Sequence, residues 1–440
     1  MVKVGIDAAA FFSSQYYLDL RTLAEARGAE VDKFYVGLGQ HKMAVSPPDE
    51  DIVTLAANAA QQVLQGIDLT SISMLLFATE SGIDQSKAAG LFLHHLLKLS
   101  PHCRILELKQ ACYSATGGLA LALAMISQHP EQKILLIASD IARYGLNTSG
   151  ESSQGGGAVA MLLSANPRLV AIEPESGVYA EDAMDFWRPN YRNEALVDGK
   201  HSIDLYLKAL REAWLDYQTK SQRKYSDHQH FIYHIPFPRL AEKAHQKLAL
   251  INGLQRPSND ELEELLGYTL RYGKVVGNCY TAALYLGLIS LLEHHPSDLS
   301  GKRIGFYSYG SGCIGEFFSG IVQADYEKHL HTHYHHQIIE NRKGLTAGEY
   351  EEFYNFPYPI DGSTLNLPQN ETGQFRLASI SQHKRIYKSI AGPANNARWG
   401  IAKGENSEIA PFAASPEFIS GRRSNSERGV KTPDKADKKS

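Results

Sequence analysis

The chain has 440 residues, 43% of them hydrophobic, and its 44 Lys and Arg against 48 Asp and Glu leave a formal net charge of −4. That length is enough for one large or two to three ordinary domains with a substantial core, and the near-neutral balance excludes the basic footprint of a general nucleic-acid binder. The four cysteines, Cys103, Cys112, Cys279 and Cys313, make no C-x-x-C pair and no disulfide framework, which fits a reducing compartment.

The N-terminal Met-Val-Lys-Val-Gly-Ile-Asp opens directly as a strand, Val2–Ile6, with neither a basic n-region nor an apolar h-region. Nowhere does the sequence reach the ~18 consecutive apolar residues of a membrane span. These features predict a soluble cytoplasmic protein with neither membrane nor nucleic acid among its partners. Helical periodicity follows at Asp51–Leu64, then strands at Met74–Thr79 and Arg104–Leu108. Further along, helices are predicted over Ala115–Gln128, Ile203–Thr219 and Tyr280–His294, and strands over Ile134–Ser139, Ala158–Leu163, Phe231–Ile235 and Arg303–Tyr309. Strands alternating with helices place the chain in the α/β class. The helices starting near Ala115 and Thr281 each follow a Cys-Tyr pair and are apolar nearly all round, the mark of a buried helix. Their recurrence predicts a duplicated fold with halves at 1–165 and 166–389. Residues 404–440 are rich in Ser, Lys, Arg, Asp and Glu and poor in aliphatics, so 390–440 is expected to be a flexible polar tail.

Cys112 stands where the Arg104–Leu108 strand hands over to a helix. Unpaired N–H groups and the positive end of the macrodipole there favour negative charge, which predicts a thiolate nucleophile. Among the 18 histidines, His234 is the candidate partner. It follows an apolar strand that Pro236 and Pro238 stop, so the imidazole is expected at a carboxyl end of the sheet, where ligands of open α/β sheets bind. Glu80 ends the run Met74–Thr79, with Gly82 bending the chain away; desolvation among apolar neighbours would raise its pKa and suit it to general acid/base work, or it caps the next helix. The glycine-rich Tyr307-Ser-Tyr-Gly-Ser-Gly-Cys-Ile-Gly315 lets backbone N–H groups approach a ligand oxygen, but it lacks the Gly-Lys-Ser/Thr of a phosphate loop. Asn278 is either a donor to a substrate carbonyl or a helix N-cap. His329, His333 and His336 share a helical face, yet no cysteine or carboxylate cluster accompanies them, so the run is read as a solvated helix and no metal site is expected.

With Cys112, His234 and Asn278 in that order, the chain resembles the thiolase superfamily, and Glu80 sharpens the match. The segments Gly37-Leu-Gly-Gln, Ala78-Thr-Glu-Ser-Gly-Ile-Asp84, Ala111-Cys-Tyr-Ser-Ala-Thr116, Ala138-Ser-Asp-Ile-Ala-Arg-Tyr144, Asp185-Phe-Trp-Arg-Pro189, Val197-Asp-Gly199, His234-Ile-Pro-Phe237, Gly277-Asn-Cys-Tyr-Thr281 and Ser308-Tyr-Gly-Ser-Gly312 together resemble the bacterial 3-hydroxy-3-methylglutaryl-CoA synthases over roughly residues 2–389. The resemblance implies a thiolase-like, five-layered α-β-α-β-α homodimer that condenses acetyl-CoA with acetoacetyl-CoA and needs no cofactor beyond its CoA thioester substrates. Its motifs would make Cys112 the acetyl carrier, Glu80 the acid/base, and His234 the group that orients the acetoacetyl thioester. Asn278 and the amides of Cys112 and Ser311 would hold substrate oxygens. Tyr144, Asp198 and Gly199 would bind substrate, and Lys243 would meet CoA phosphates. Three alternatives stay open: a related synthase of polyketide β-branching acting on acyl carrier protein substrates, a Cys-His-Asn ketoacyl synthase, and a catalytically silent scaffold or metal-binding protein built on the histidine run.

Overall fold

The structure is a computed structural model, and it describes residues 2–390; the expected polar tail beyond Ile390 lies outside the described residues. Nine strands form the main sheet: β1 (Val4–Ser13), β2 (Ile72–Ala78), β3 (Arg104–Leu108), β4 (Lys133–Ala142), β5 (Gly155–Ala165), β6 (Val170–Ala180), β7 (His230–Tyr233), β8 (Arg303–Gly310) and β9 (Ile314–Val322). Their order is β7-β8-β9-β6-β1-β5-β4-β2-β3. Strands β2, β3 and β4 run parallel, β5 is antiparallel to both β4 and β1, and β7 is parallel to β8. The N-terminal five and C-terminal four strands meet through only two residue pairs of β1 and β6, Gly5↔Ala171 and Ile6↔Val170. A Cβ on Gly5 would lie 2.1 Å from the Val170 carbonyl oxygen, so that seam closes only over glycine.

Period-2 alternation along β2 sends side chains to two covered faces. Leu75 and Phe77 meet Gly90 of the helix Ala89–Leu96, whereas Leu76 meets Gly118 of the helix Ser114–Gln128 together with Leu108 and Leu136. The helix Ser114–Gln128 is in turn tied to the helix Ala283–His294 through Thr116, whose hydroxyl lies 2.9 Å from Tyr285 Oη and donates to Ser308 Oγ at 2.8 Å. Of these two apolar helices, both expected to be buried, Ala283–His294 is buried from Ala283 to Leu292, whereas Ser114–Gln128 buries one face and leaves Leu121 59% exposed. On the C-terminal side the helix Gly199–Ser221 lies directly on β6, where a Cβ at Gly177 would sit 2.0 Å from Ala213 O.

Two strands escape the sequence pattern. Strand β6 carries Glu173, Glu175 and Ser176, which interrupt its apolar run; Glu173 accepts hydrogen bonds from Arg303 Nε (2.6 Å), Arg223 Nη2 (3.1 Å) and Ser319 Oγ (2.7 Å), so tertiary partners make the polar strand tolerable. Its neighbour β9 has small residues in place of a clear alternation. The histidine run also departs from expectation. Helix Thr332–Glu340 is not simply solvated: His335 is fully buried, its Nδ1 2.6 Å from Glu293 Oε1 and its Nε2 accepting the Phe11 N–H at 2.9 Å. A second, smaller apolar cluster stands apart from the main core. It joins Leu20 and Leu23 of the helix Leu20–Arg27 to Leu18, Phe34, Met43 and Tyr350, the last on the helix Ala347–Tyr354.

Candidate active site

Cys112 lies on a tight turn between β3 and the helix Ser114–Gln128, with Ala111 just before it at φ 44. Its thiol donates to Glu80 Oε1 at 2.8 Å. Both side chains keep some surface, but protein surrounds their reactive ends. Burial, reinforced by the neighbouring Asp140 charge, pushes Glu80 up to about 8 against the opposing pull of the Cys112 hydrogen bond and Arg188. Burial and then the Glu80 charge push the Cys112 thiol well above its ordinary value. The expectation of a thiolate stabilised by the helix is therefore corrected. The cysteine precedes the first helical residue by two positions, and desolvation beside a carboxyl outweighs the helix terminus, so the resting group is a thiol hydrogen-bonded to Glu80.

Glu80 is fixed from behind by Asp140, two residues before the end of β4. Asp140 Oδ1 accepts from Thr79 Oγ1 (2.8 Å), Glu80 N (2.9 Å) and Ser81 N (2.9 Å), and Oδ2 accepts from Thr281 N (3.0 Å) and Thr281 Oγ1 (2.5 Å). One buried carboxylate thus binds the strand end that carries Glu80 to the turn that follows Asn278.

Asn278 is buried, and its Oδ1 accepts the Tyr280 N–H at 2.9 Å, a turn bond to the residue two on; it does not cap the helix Ala283–His294, which Ala282 precedes without a side-chain cap. Gly277, at φ 83, and Gly155 let its backbone lie against β5: a Cβ on Gly277 would fall 2.1 Å from Gln154 O, and one on Gly155 would fall 2.7 Å from Asn278 N. Tyr144 is buried beside this turn, with Phe186 and Tyr280 edge-on to its ring at centroid distances of 6.1 and 6.4 Å. Burial and the proximity of Cys112 and Glu80 raise its hydroxyl, while Tyr280 and Asn278 lower it, which places that hydroxyl among the reactive groups.

His234 follows β7 as expected, with its N–H donating to Tyr307 O at 2.8 Å and its carbonyl accepting from Tyr206 Oη at 3.0 Å. This sets it level with Ser308, the partner of Thr116. Burial lowers its imidazole to about 3, so it is neutral at physiological pH. Two residues past Ser308, Gly310 passes so close to Gln110 and Tyr113 that a Cβ would lie 2.6 Å from Gln110 O. Ser311 follows, its carbonyl accepting from Gln110 Nε2 at 3.3 Å. The loop is held by Asp185, whose Oδ1 accepts from Gly312 N (2.9 Å) and whose Oδ2 accepts from Tyr309 Oη (2.8 Å) and Ser202 Oγ (3.0 Å).

Cys112, Glu80, Asn278 and Tyr144 thus come together, Ser311 is tied to the Cys112 turn through Gln110, and His234 stands buried at the end of β7. Family profiles described as "Hydroxymethylglutaryl-coenzyme A synthase N terminal" and "C terminal" match residues 2–168 and residues 170–273 and 267–356. The chain belongs to the hydroxymethylglutaryl-CoA synthase family. It is 41% identical over 388 residues to the hydroxymethylglutaryl-CoA synthase of Enterococcus faecalis, covering 88% of this chain and all of that one. It is also 35% identical to the polyketide biosynthesis 3-hydroxy-3-methylglutaryl-ACP synthase PksG of Bacillus subtilis, over 89% of this chain and 100% of that one. Among solved structures, an HMG-CoA synthase complexed with CoA superposes with a TM-score of 0.84 at 38% identity, and MvaS in complex with 3-hydroxy-3-methylglutaryl coenzyme A with 0.82 at 37%; each comparison covers 88% of this chain and 100% and 99% of the other. The fold is accordingly thiolase-like, and the protein is an acyl-transferring, condensing enzyme.

Three further sequence candidates of this synthase fold lie at exposed positions. Asp198 caps the helix Gly199–Ser221, its Oδ1 accepting from His201 N at 3.2 Å, and Gly199 is the first, exposed residue of that helix. Lys243 is exposed on the helix Pro238–Ile251. Asp140 and Asp185 went unassigned by sequence reasoning, although a carboxylate ending the apolar run Lys133-Ile-Leu-Leu-Ile-Ala-Ser was a signal: a charge there must find several donors.

Proposed function

We propose that this chain condenses acetyl-CoA with acetoacetyl-CoA and water to give 3-hydroxy-3-methylglutaryl-CoA and CoA, on the mevalonate route to isoprenoids, through an acetyl group carried by Cys112. The 2.8 Å contact between the Cys112 thiol and Glu80 carries this reading. It sets a nucleophile beside a carboxyl whose pKa of about 8 lets it hold or release a proton near neutral pH, an arrangement that a Cys-His-Asn ketoacyl synthase lacks.

In the first half-reaction the Cys112 sulfur attacks the acetyl thioester carbonyl, the bond from that carbonyl to the CoA sulfur breaks, and the Cys112 thiol proton goes to the departing sulfur, so that CoA leaves as the thiol. Glu80 then takes a proton from the acetyl methyl, which the thioester acidifies. The resulting carbon adds to the ketone of acetoacetyl-CoA, the new alkoxide takes a proton from Glu80, and water releases the product from Cys112. Neutral His234 orients the acetoacetyl group as a hydrogen-bonding partner rather than as a cation. Asn278, whose oxygen is occupied, presents its NH2, and the Cys112 and Ser311 amides supply further donors to the developing oxyanions. Holding the acetyl carbon on the enzyme makes carbon–carbon bond formation intramolecular. Asp198, Gly199 and Lys243 lie at exposed positions suited to the CoA chain rather than to the reacting atoms. None of these steps calls for a metal or redox cofactor.

The working form we propose is a cytoplasmic homodimer. β3 is the edge of the sheet, and Leu106 on it, Leu91 on the helix Ala89–Leu96 and Leu121 on the helix Ser114–Gln128 are 49%, 44% and 59% exposed. An open edge flanked by exposed leucines invites pairing with a second copy. Among the described residues no helix is long and apolar enough to cross a membrane.

The test is mass spectrometry of the intact protein after acetyl-CoA, with peptide mapping, followed by product analysis with acetoacetyl-CoA. The expected result is one acetyl group on Cys112 and hydroxymethylglutaryl-CoA as product. Acetyl found on Cys103, Cys279 or Cys313 would overturn the assignment of the nucleophile. Turnover only with carrier-protein thioesters would replace this reading by the polyketide one.

A further inference from the structure

Strand β4 ends at Ala142, so the backbone of Tyr144 has left the sheet. Its two main-chain groups are nonetheless both bonded, and both by side chains. The Tyr144 N–H donates to Gln154 Oε1 at 2.8 Å, and the Tyr144 carbonyl accepts from Tyr354 Oη at 2.5 Å. Gln154 is buried and is itself held, since its Nε2 donates to Tyr350 Oη at 2.7 Å. Tyr350 in turn donates to Glu151 Oε1 at 3.2 Å. Glu151 is the hub: it also accepts from Arg27 Nε (3.0 Å) and Nη2 (2.8 Å) and from the Asn147 N–H (2.8 Å).

Arg27 lies on the helix Leu20–Arg27, and Tyr350 and Tyr354 lie on the helix Ala347–Tyr354. Arg27 reaches both loop and helix, pairing with Glu351 at 2.7 Å as well as with Glu151. Arg143 donates to the Tyr354 carbonyl and stacks over its ring, 4.1 Å from the centroid. Beneath the Tyr144 ring, Gly150 leaves no room for even a methyl group, since a Cβ there would lie 2.9 Å from ring carbons. The smaller apolar cluster of the fold thus grips, through its two tyrosines, Tyr144, which packs with Tyr280 in the cluster that Cys112 lies against.

Two buried peptide groups outside the sheet need partners in any case; here both partners are side chains, one fixed by Tyr350 and Glu151 and the other on the same helix as Tyr350, so this network sets the tilt of Tyr144. A hydroxyl at the end of a tyrosine ring swings by a large fraction of an ångström when its backbone tilts by a few degrees, and reaction rates are steep in such displacements. We propose that Tyr354 and Gln154, backed by Tyr350, Glu151 and Arg27, are positioning residues that aim the Tyr144 hydroxyl at the acyl group on Cys112. The inference rests on the reading of Cys112 as acetyl carrier given above.

Its test is a double-mutant cycle read on the acetylation of Cys112 by acetyl-CoA, followed by quenched-flow mass spectrometry, with thermal melting measured alongside. Tyr354→Phe keeps the ring and its stacking with Arg143 and deletes one hydroxyl. It should slow acetylation roughly tenfold, the effect of losing one well-made hydrogen bond, while the KM for acetyl-CoA and the melting temperature change little. In a Tyr144→Phe background, where the aimed hydroxyl is gone, the same substitution should have almost no further effect. Gln154→Met provides a second cycle with the same expectation, should Tyr354→Phe fold poorly. Additive losses in both cycles, or a Tyr354→Phe enzyme that acetylates at the parent rate, would overturn the positioning role. A parent enzyme that is not acetylated on Cys112 would instead overturn the functional reading on which the inference rests.

Discussion

Replacing Glu80 by Gln separates two things the carboxyl does: it exchanges protons during condensation, and it opposes ionisation of Cys112. The second effect follows from the 2.8 Å separation. A carboxylate and a thiolate at that distance repel by about 6 kcal/mol at an effective dielectric near 20, and by about 1.5 kcal/mol if water screens them fully. Protein surrounds both reactive ends, so the fully screened figure, about one pKa unit, is the lower bound of the coupling. Glu80 loses its proton around a pH of about 8, so the repulsion is fully present only above it. At pH 9, Glu80→Gln should therefore raise the rate of Cys112 alkylation by iodoacetamide at least about tenfold, and at pH 6 the two proteins should differ little. Acetylation by acetyl-CoA should persist in the variant, while formation of hydroxymethylglutaryl-CoA falls by the ~10²–10⁴-fold typical of losing a general acid/base. Unchanged or slower alkylation at pH 9 would refute the electrostatic coupling. Equal losses of acetylation and condensation would refute the division of roles and favour a Cys-His-Asn mechanism.

Burial holds His234 neutral down to about pH 3, so activity between pH 5 and 8 should show no inflection that His234→Ala removes, and that variant should lose acetoacetyl-CoA use far more than acetylation. Burial alone would raise Glu173, but hydrogen bonds from Arg303 and Ser319 and the charges of Arg303 and Arg223 outweigh it and hold the carboxyl below its usual range. Its stabilisation is thus present above the unfolded carboxyl's titration and lost as pH falls through the lowered value; Glu173→Gln should cost about 1–3 kcal/mol in urea melts at pH 7, with the gap closing in acid. Leu106→Lys on the sheet edge should convert a dimer to a monomer in sedimentation experiments, and an unchanged oligomer would place the interface elsewhere. Cys112→Ser should abolish acetylation without altering the melting temperature, because the serine hydroxyl is a far weaker acid than a thiol.

Much of this protein was legible along the chain because its signals are local. The apolar runs around Met74–Thr79 and Ile134–Ser139, the two apolar helices, and the cysteine and glutamate at strand ends are all patterns of neighbouring residues, and the structure places them along the chain as expected, although only the second helix is buried on every side. What the sequence could not decide depends on residues far apart in it. Polar β6 is a strand because Arg223, Arg303 and Ser319 come to Glu173. His335 is a core residue because Glu293 and the Phe11 amide reach it. The protonation of the nucleophile belongs to the same class: helix position argued for a thiolate, but Glu80, 32 residues away in sequence, stands 2.8 Å from the sulfur. Local sequence sets backbone preference and which faces are apolar. Charge state is set by everything within a few ångströms, and only the folded chain determines what that is.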